Sequence, residues 1–214
     1  MTAPVRIICH SRFVIDRAIS FGWQPGARYT NLRDVKHLPH VYFVDIDWKN
    51  YSFERHLDAV SRVKPTMTVA RDIMEDDHLD DVLHEASVLA TFAQTVIVVP
   101  KDPRLKQRCR LGIPDMFRLG YSVPTKYGST SITPDYFKGD VHLLGGRPDV
   151  QRRLADIMTV RSLDGNRFTY DARYGDYFDG ETFRPHPQGG YEECLRASLS
   201  NINQLWSGER RAYG

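Results

Sequence analysis

Short apolar runs recur along the chain, and most of them end at a polar residue or a glycine. Runs of this length that are rich in Val, Ile and aromatic residues are typical of strands buried in a sheet. The clearest is Thr-Val-Ile-Val-Val at 95–99, because nearly all of its residues are β-branched. The sequence predicts strands at residues 5–9, 27–32, 41–47, 66–70, 95–99, 117–123, 141–144 and 158–163.

Several segments between these runs have the spacing of an amphipathic helix. In the last of them, Pro148 opens a helix that places Gln151 on its polar side. A strand, a helix and a second strand form a crossover between parallel strands. The pattern therefore predicts an α/β fold, a small (β/α)8 barrel of the TIM type. Helices are expected at 13–21, 53–63, 82–93 and 148–157.

The composition changes after the eighth predicted strand. Residues 167–214 interleave Tyr and Phe with arginines and glycines, and an amphipathic helix is predicted at 191–206. Aromatic and Arg side chains can stack on bases and hold phosphates, and they equally form a small core beneath a loop. We expect the barrel to span residues 1–166 and the aromatic-rich C-terminal extension, 167–214, to pack on it within a single domain.

Composition limits the possible partners. The 214 residues have a net charge of +2, so any nucleic-acid surface must be a local patch. Three widely spaced cysteines argue against a disulfide framework and against a cysteine zinc site. No apolar run is long enough to span a membrane, and the N-terminus lacks a signal-peptide pattern. We expect a cytoplasmic protein that needs no metal or cofactor.

Acidic residues stand at three of the predicted strand ends, where barrels of this type place their active sites. Asp164 follows the eighth strand and precedes a Gly-Asn pair, which is also the composition of an ordinary turn. Alternation along the third strand places Asp45 and Asp47 on one face. Two buried carboxylates are costly unless they are used or paired. Asp72 follows the fourth strand.

Basic side chains are densest between residues 104 and 110. Such a segment is either an exposed polar face or a contact for a phosphate backbone. Single basic residues also follow the fifth, sixth and eighth predicted strands. The candidate nucleic-acid contacts are Lys101, Arg104, Lys106, Arg108, Arg110, Lys126 and Arg167.

The segment His-Leu-Leu-Gly-Gly-Arg-Pro-Asp at 142–149 and the order of the strand ends resemble the tRNA-guanine transglycosylase superfamily. The likeness covers about residues 40–166. It is greatest to the DNA-acting branch, the 7-deazaguanine DNA transglycosylases of phages and some bacteria. In that family a glycine motif on the seventh strand is followed by a nucleophilic aspartate, and Asp164 lies at the matching spacing.

The chain also departs from the family pattern. The Asp-Ser-Gly-Gly-Phe-Gln signature is not present at Asp45, so the choice between Asp45 and Asp47 stays open. The Cys-x-Cys-x-x-Cys zinc site of the tRNA enzymes is absent, and this chain is much shorter than theirs. The resemblance therefore favours DNA over tRNA as the polymer.

The resemblance implies a glycosyltransferase that exchanges guanine in DNA for a free 7-deazaguanine base, such as 7-cyano-7-deazaguanine. Asp164 would be the nucleophile that holds the sugar covalently, and Asp45 or Asp47 would be the general acid/base. No cofactor is implied. The residues expected to bind the base are Asp72, Gly120, Tyr121, Gly145 and Gly146.

Three other functions agree with the same residues. The first is base exchange in tRNA. The second is a barrel hydrolase that acts on nucleosides or small glycosides through the same carboxylates. The third is a barrel without activity that only binds nucleic acid, because one fold supports many functions.

Overall fold

The computed structural model of the protein describes residues 3–125 and 129–207, and it contains a closed barrel of eight parallel strands. Each strand pairs with the next along the chain, and the eighth pairs with the first. The predicted (β/α)8 barrel is confirmed, and all the carboxyl ends meet at one mouth. The strands are β1 (Val5–Cys9), β2 (Gln24–Arg28), β3 (Phe43–Asp45), β4 (Met67–Val69), β5 (Thr95–Val98), β6 (Arg118–Ser122), β7 (Asp140–Leu144) and β8 (Thr159–Asp164).

Only some connections carry α-helices. They follow β1, β3, β4, β7 and β8, whereas in the described residues the connections after β2, β5 and β6 carry only short 3₁₀ segments. These short connections explain how the barrel fits into 214 residues. The α-helices are α1 (Arg12–Ile19), α2 (Phe53–Val63), α3 (Leu79–Leu89), α4 (Pro148–Leu154), α5 (Arg167–Ala172) and α6 (Tyr191–Ser207). Within the described ranges none of them is long and apolar enough to cross a membrane.

The second strand lies earlier than predicted. The sequence placed it at 27–32, but β2 spans Gln24–Arg28, and Cys9 pairs with Gly26. A Cβ at Gly26 would lie 2.6 Å from Sγ of Cys9 and 3.2 Å from Cβ of Phe43. Glycine is therefore needed inside the strand because neighbouring side chains fill the barrel at this point.

The barrel interior is a packed core with one polar ring in it. Ile7, Phe43, Met67 and Ile97 are buried, as the layered interior of this fold requires. His142 on β7 is also fully buried, and its ring centroid lies 5.6 Å from that of Phe43. A buried imidazole needs hydrogen-bond partners, and those of His142 lie on the neighbouring strands.

The C-terminal extension packs against the barrel. A short antiparallel pair, β9 (Asp176–Phe178) and β10 (Phe183–Pro185), precedes α6. Phe168 and Phe178 are buried, and the ring of Trp23 lies edge-on to Phe168 at 5.5 Å. These aromatics form a small core, whereas Tyr170 and Tyr174 remain exposed.

Candidate active site

A cavity of about 730 Å³ opens at the carboxyl ends of the strands. Its volume lies within the range of small-molecule sites. Each of the eight strands contributes to the wall, with its last residues or with those that follow directly. The charged and nucleophilic groups closest to the strand ends are Cys9, Arg28, Asp45, Arg71, Asp72, Lys101 and Asp164, and Arg71 is paired with Glu85.

Asp164 is held at the end of β8 through one of its two carboxylate oxygens. The backbone N–H of Gly145 donates to Oδ1 at 3.0 Å, and Nε2 of His142 lies 3.4 Å from the same atom. Within the described residues no donor lies on Oδ2. The side chain is 17% exposed, so it can be reached from the cavity. The arrangement fixes the carboxylate and leaves one oxygen for a ligand.

The ends of β7 and β8 are joined by Gln151. Its Nε2 donates to the carbonyl oxygen of Gly145 at 2.8 Å and to that of Asp164 at 2.7 Å. The sequence placed this side chain on the polar side of the helix, but it is buried against the barrel. Its amide satisfies two carbonyls that the strand ladder leaves free, which fixes the backbone on both sides of the Asp164 carboxylate.

Asp45 is the second carboxylate of the cavity. Burial, and next the negative charge of Asp164, raise its pKa to about 7, whereas a hydrogen bond from the backbone N–H of Ile46 opposes the shift. A carboxyl group with this pKa can hold or release a proton near neutral pH. The cavity therefore combines a carboxylate held by the backbone N–H of Gly145 with a carboxyl that can carry a proton.

The prediction that Asp45 and Asp47 share one face of β3 is wrong. Because β3 ends at Asp45, the alternation of side chains stops there, and Asp47 lies in the following turn. Its Oδ1 accepts the backbone N–H of Lys49 at 3.3 Å, and it is not among the described residues that line the cavity. The structure thus brings Asp45, and not Asp47, to Asp164.

Asp72 and Lys101 form an ion pair in the cavity wall. The ammonium of Lys101 lies 2.7 Å from Oδ2 of Asp72, and both side chains are about one-fifth exposed. They follow the neighbouring strands β4 and β5, so parallel strand ends position the pair. Among the described residues no donor lies on Oδ1 of Asp72, which leaves that oxygen for a ligand.

Of the other predicted base-binding residues, only Gly145 lines the cavity. A Cβ at Gly146 would lie 2.3 Å from Cγ1 of Val123, and one at Gly120 would lie 2.7 Å from Cγ2 of Ile97. These two glycines therefore serve close packing. Tyr121 points away from the barrel interior, and its ring packs edge-on against Phe137 at 4.9 Å.

The basic segment at 104–110 is engaged within the protein. Arg104 pairs with Asp102, and Arg108 donates twice to Asp76 at 2.9 Å. Arg110 donates to three backbone carbonyls, including that of Phe117 at 2.9 Å.

Two further candidates are also placed. The ammonium of Lys106 lies 5.3 Å from the ring centroid of Tyr136. Arg167 pairs with Asp171 at 2.6 Å, and Lys126 lies outside the described residues. None of the placed candidates except Lys101 lines the cavity.

The sequence reasoning missed three residues at the mouth. Arg28 ends β2 and lines the cavity; within the described residues it forms no ion pair, although its charge opposes the rise in the pKa of Asp45. Trp48 and Met74 lie on the rim and are 57% and 61% exposed. Arg28 was missed because β2 was placed too late along the chain, although Gly26 and Arg28 have the alternation of one strand face.

Burial also raises the pKa of the Cys9 thiol, which keeps this cysteine neutral. In the described residues no group of three or more His, Cys, Asp or Glu side chains is placed to hold a metal ion.

Comparison with protein families matches residues 18–207 to the model of a family of unknown function, DUF6610. Comparison with curated proteins gives no match.

Proposed function

The chain belongs to the DUF6610 family, whose function is unknown, and we propose from its cavity that it is a transglycosylase that exchanges guanine in DNA for a 7-deazaguanine base. The observation that carries the proposal is the pair of carboxyls, Asp45 and Asp164, in one cavity with different surroundings. Transfer of a sugar between two bases requires a nucleophile and a separate proton carrier. The resemblance of the segment 142–149 to the transglycosylase motif adds the substrate class.

In the first step Oδ2 of Asp164 attacks C1′ of a deoxyguanosine residue, and the C1′–N9 bond breaks. Asp45 gives its proton to the leaving guanine, which departs as the neutral base. In the second step Asp45 takes the proton from N9 of the incoming deazaguanine, and this nitrogen attacks C1′. The ester bond to Asp164 then breaks and both carboxyls return to their starting states.

Base selection is assigned to Asp72. Its Oδ1 can accept hydrogen bonds from the N–H groups at the Watson–Crick edge of a guanine-like base, which adenine does not present in that pattern. The ammonium of Lys101, 2.7 Å from Oδ2, holds the carboxylate in place. A base within a duplex cannot reach the mouth of a barrel, so the target nucleotide must be flipped out or single-stranded.

The rim supports a nucleic acid as the substrate. Arg28 offers a cation that forms no ion pair within the described residues. Trp48 and Met74 add exposed apolar surface at the mouth of the same cavity. Stacking on an aromatic ring and pairing of a phosphate with a cation are the usual contacts of single-stranded nucleic acid.

The test is incorporation of radiolabelled guanine or 7-cyano-7-deazaguanine into DNA or tRNA by the purified protein. We expect labelling of DNA. Asp164→Asn should abolish exchange, and Asp45→Asn should lower its rate by about 10²- to 10⁴-fold because a general acid/base is lost. Asp47→Asn is the matched control and should retain the wild-type rate, because this carboxylate lies outside the cavity lining.

Other outcomes separate the alternatives. Labelling of tRNA alone would show that the polymer substrate is tRNA and not DNA. Hydrolysis of free nucleosides without incorporation would indicate a hydrolase. Exchange that survives in Asp164→Asn would disprove the covalent mechanism. Mass spectrometry of a trapped protein–oligonucleotide adduct should locate the attached sugar on the peptide that contains Asp164.

A further inference from the structure

A chain of four polar groups runs through the barrel interior and ends at Asp164. Nη1 of Arg118 lies 3.2 Å from Oγ of Ser162, and that hydroxyl lies 2.8 Å from Nδ1 of His142. On the other side of the ring, Nε2 lies 3.4 Å from Oδ1 of Asp164. The four residues stand on β6, β7 and β8, which are neighbours in the barrel. His142 and Ser162 are fully buried, so water does not offer them alternative partners.

The chemistry of these groups favours one direction of donation along the chain. The guanidinium of Arg118 can only donate, so Oγ of Ser162 accepts from it. The hydroxyl proton of Ser162 is then available for Nδ1 of His142, which must be unprotonated to accept it. In that tautomer Nε2 carries the proton and faces a carboxylate oxygen. The opposite tautomer would place the lone pair of Nε2 against Oδ1 of Asp164 and would give Ser162 two donors.

We propose that His142 is a positioning residue for Asp164, held in its Nε2–H tautomer by Ser162 and Arg118. The Nε2–H group and the backbone N–H of Gly145 converge on Oδ1, and Oδ2 is thereby directed into the cavity. The 3.4 Å contact is long for a hydrogen bond. Contacts of this kind often shorten when a substrate occupies the site.

The effect of His142 on the reaction rests on the proposed function, whereas the assignment of its Nε2–H tautomer does not. If Asp164 attacks a sugar, Oδ2 must lie in line with C1′, and a carboxylate free to rotate would lose that alignment. The same donors stabilise the negative charge that returns to Asp164 when the ester breaks. His142 would thus act through Asp164, without touching the substrate.

The first measurement is the nitrogen-15 spectrum of the histidine rings in the full protein without substrate. Long-range proton–nitrogen correlations distinguish a protonated from an unprotonated ring nitrogen. We expect Nε2 of His142 to be protonated and Nδ1 to be unprotonated. The signal is assigned by its disappearance in His142→Gln, which also keeps an amide donor near the position of Nε2.

His56 serves as the internal control. It is equally buried, and its Nε2 lies 2.9 Å from Oγ1 of Thr68, whose hydroxyl donates to the carbonyl oxygen of Val44 at 2.8 Å. Ser162→Ala should reduce the preference of His142 for Nε2–H and leave the His56 signals unchanged. A proton on Nδ1 of His142 in the wild-type protein, or no response to Ser162→Ala, would overturn the proposal.

The second measurement is base exchange by the same variants, with thermal melting to confirm that each one folds. Ser162→Ala and His142→Phe should lower kcat by about 10- to 100-fold, because a small misplacement of the attacking oxygen costs up to about 100-fold, with KM for the free base unchanged. His142→Gln should recover part of kcat. An unchanged kcat in Ser162→Ala would contradict the positioning role. If the wild-type protein shows no exchange, the proposed function fails, while the spectrum still decides the tautomer.

Discussion

At the scale of single residues, Asp45 and Asp164 differ in what surrounds them. Asp164 accepts the backbone N–H of Gly145 and has Nε2 of His142 3.4 Å from the same oxygen, whereas Asp45 is largely removed from solvent near the negative charge of Asp164 and accepts the backbone N–H of Ile46. Donors stabilise an anion, and burial beside a like charge destabilises it. Asp45, with a pKa raised to about 7, can therefore carry a proton near neutral pH, as the proton carrier of an enzyme's acid/base pair does.

The raised pKa of Asp45 also predicts how stability depends on pH. A carboxyl group whose pKa is about 7 in the folded protein and close to 4 in the unfolded chain binds more protons when folded. Its contribution is therefore most favourable below about pH 4 and is lost as the pH rises towards 7. We expect Asp45→Asn to raise the free energy of unfolding at pH 8 by about 2–4 kcal/mol and to change it little at pH 4.

Urea denaturation at the two pH values measures this difference. Asp47→Asn is again the control, and its free energy of unfolding should differ from wild type by less than about 0.5 kcal/mol at both pH values. Equal free energies of unfolding of Asp45→Asn and the wild-type protein at pH 8 would show that ionisation of Asp45 does not destabilise the folded protein.

At the scale of elements, the turn after β7 sets the position of Asp164. Gly145 and Gly146 both have positive φ, +64° and +89°. A side chain at either position costs about 1–2 kcal/mol of backbone strain. At Gly145 a Cβ would meet open space, whereas at Gly146 it would overlap Val123 at 2.3 Å. Gly145→Ala should lower the free energy of unfolding by about 1–2 kcal/mol, and Gly146→Ala by about 3–5 kcal/mol because overpacking is added.

Chemical denaturation of the two variants side by side tests this account of the turn. Each is the control for the other, because both change glycine to alanine at a positive φ in adjacent positions. A smaller loss of unfolding free energy in Gly146→Ala than in Gly145→Ala would contradict this account. It would mean that Val123 can shift without destabilising the protein.

The elements also show where the sequence was informative. The long apolar runs predicted seven strands near their observed positions, because burial on both faces leaves a strong signal. The β2 strand was misplaced because its proline and glycine resemble a turn, and the need for Gly26 comes from a side chain on another strand. The end of β3 depends on hydrogen bonding after Asp45, which alternation does not reveal.

At the scale of the whole molecule, the convergence of Asp45, Asp72 and Asp164 was predictable, because parallel strands in a barrel bring their carboxyl ends together. The direction of the Tyr121 ring and the close packing at Gly146 were not predictable, since they depend on strand register and on turn geometry. The place of His142 in a buried polar chain was not predictable either, because it depends on which side chains of β6 and β8 face the ring. A histidine inside an apolar run shows neither its partners nor their distances.

The distribution of charge over the molecule gives the last prediction, on where a polymer would bind. With a net charge of +2 the protein has little overall attraction for DNA, so affinity must come from local cations such as Arg28 at the mouth. We expect Arg28→Ala to weaken single-stranded oligonucleotide binding by about threefold to tenfold and to reduce the salt slope of the affinity by about 1. Fluorescence anisotropy across salt concentrations measures both. Arg108→Ala is the control, because Arg108 is already paired with Asp76; a larger loss there would place the DNA on the outer basic segment instead of the mouth.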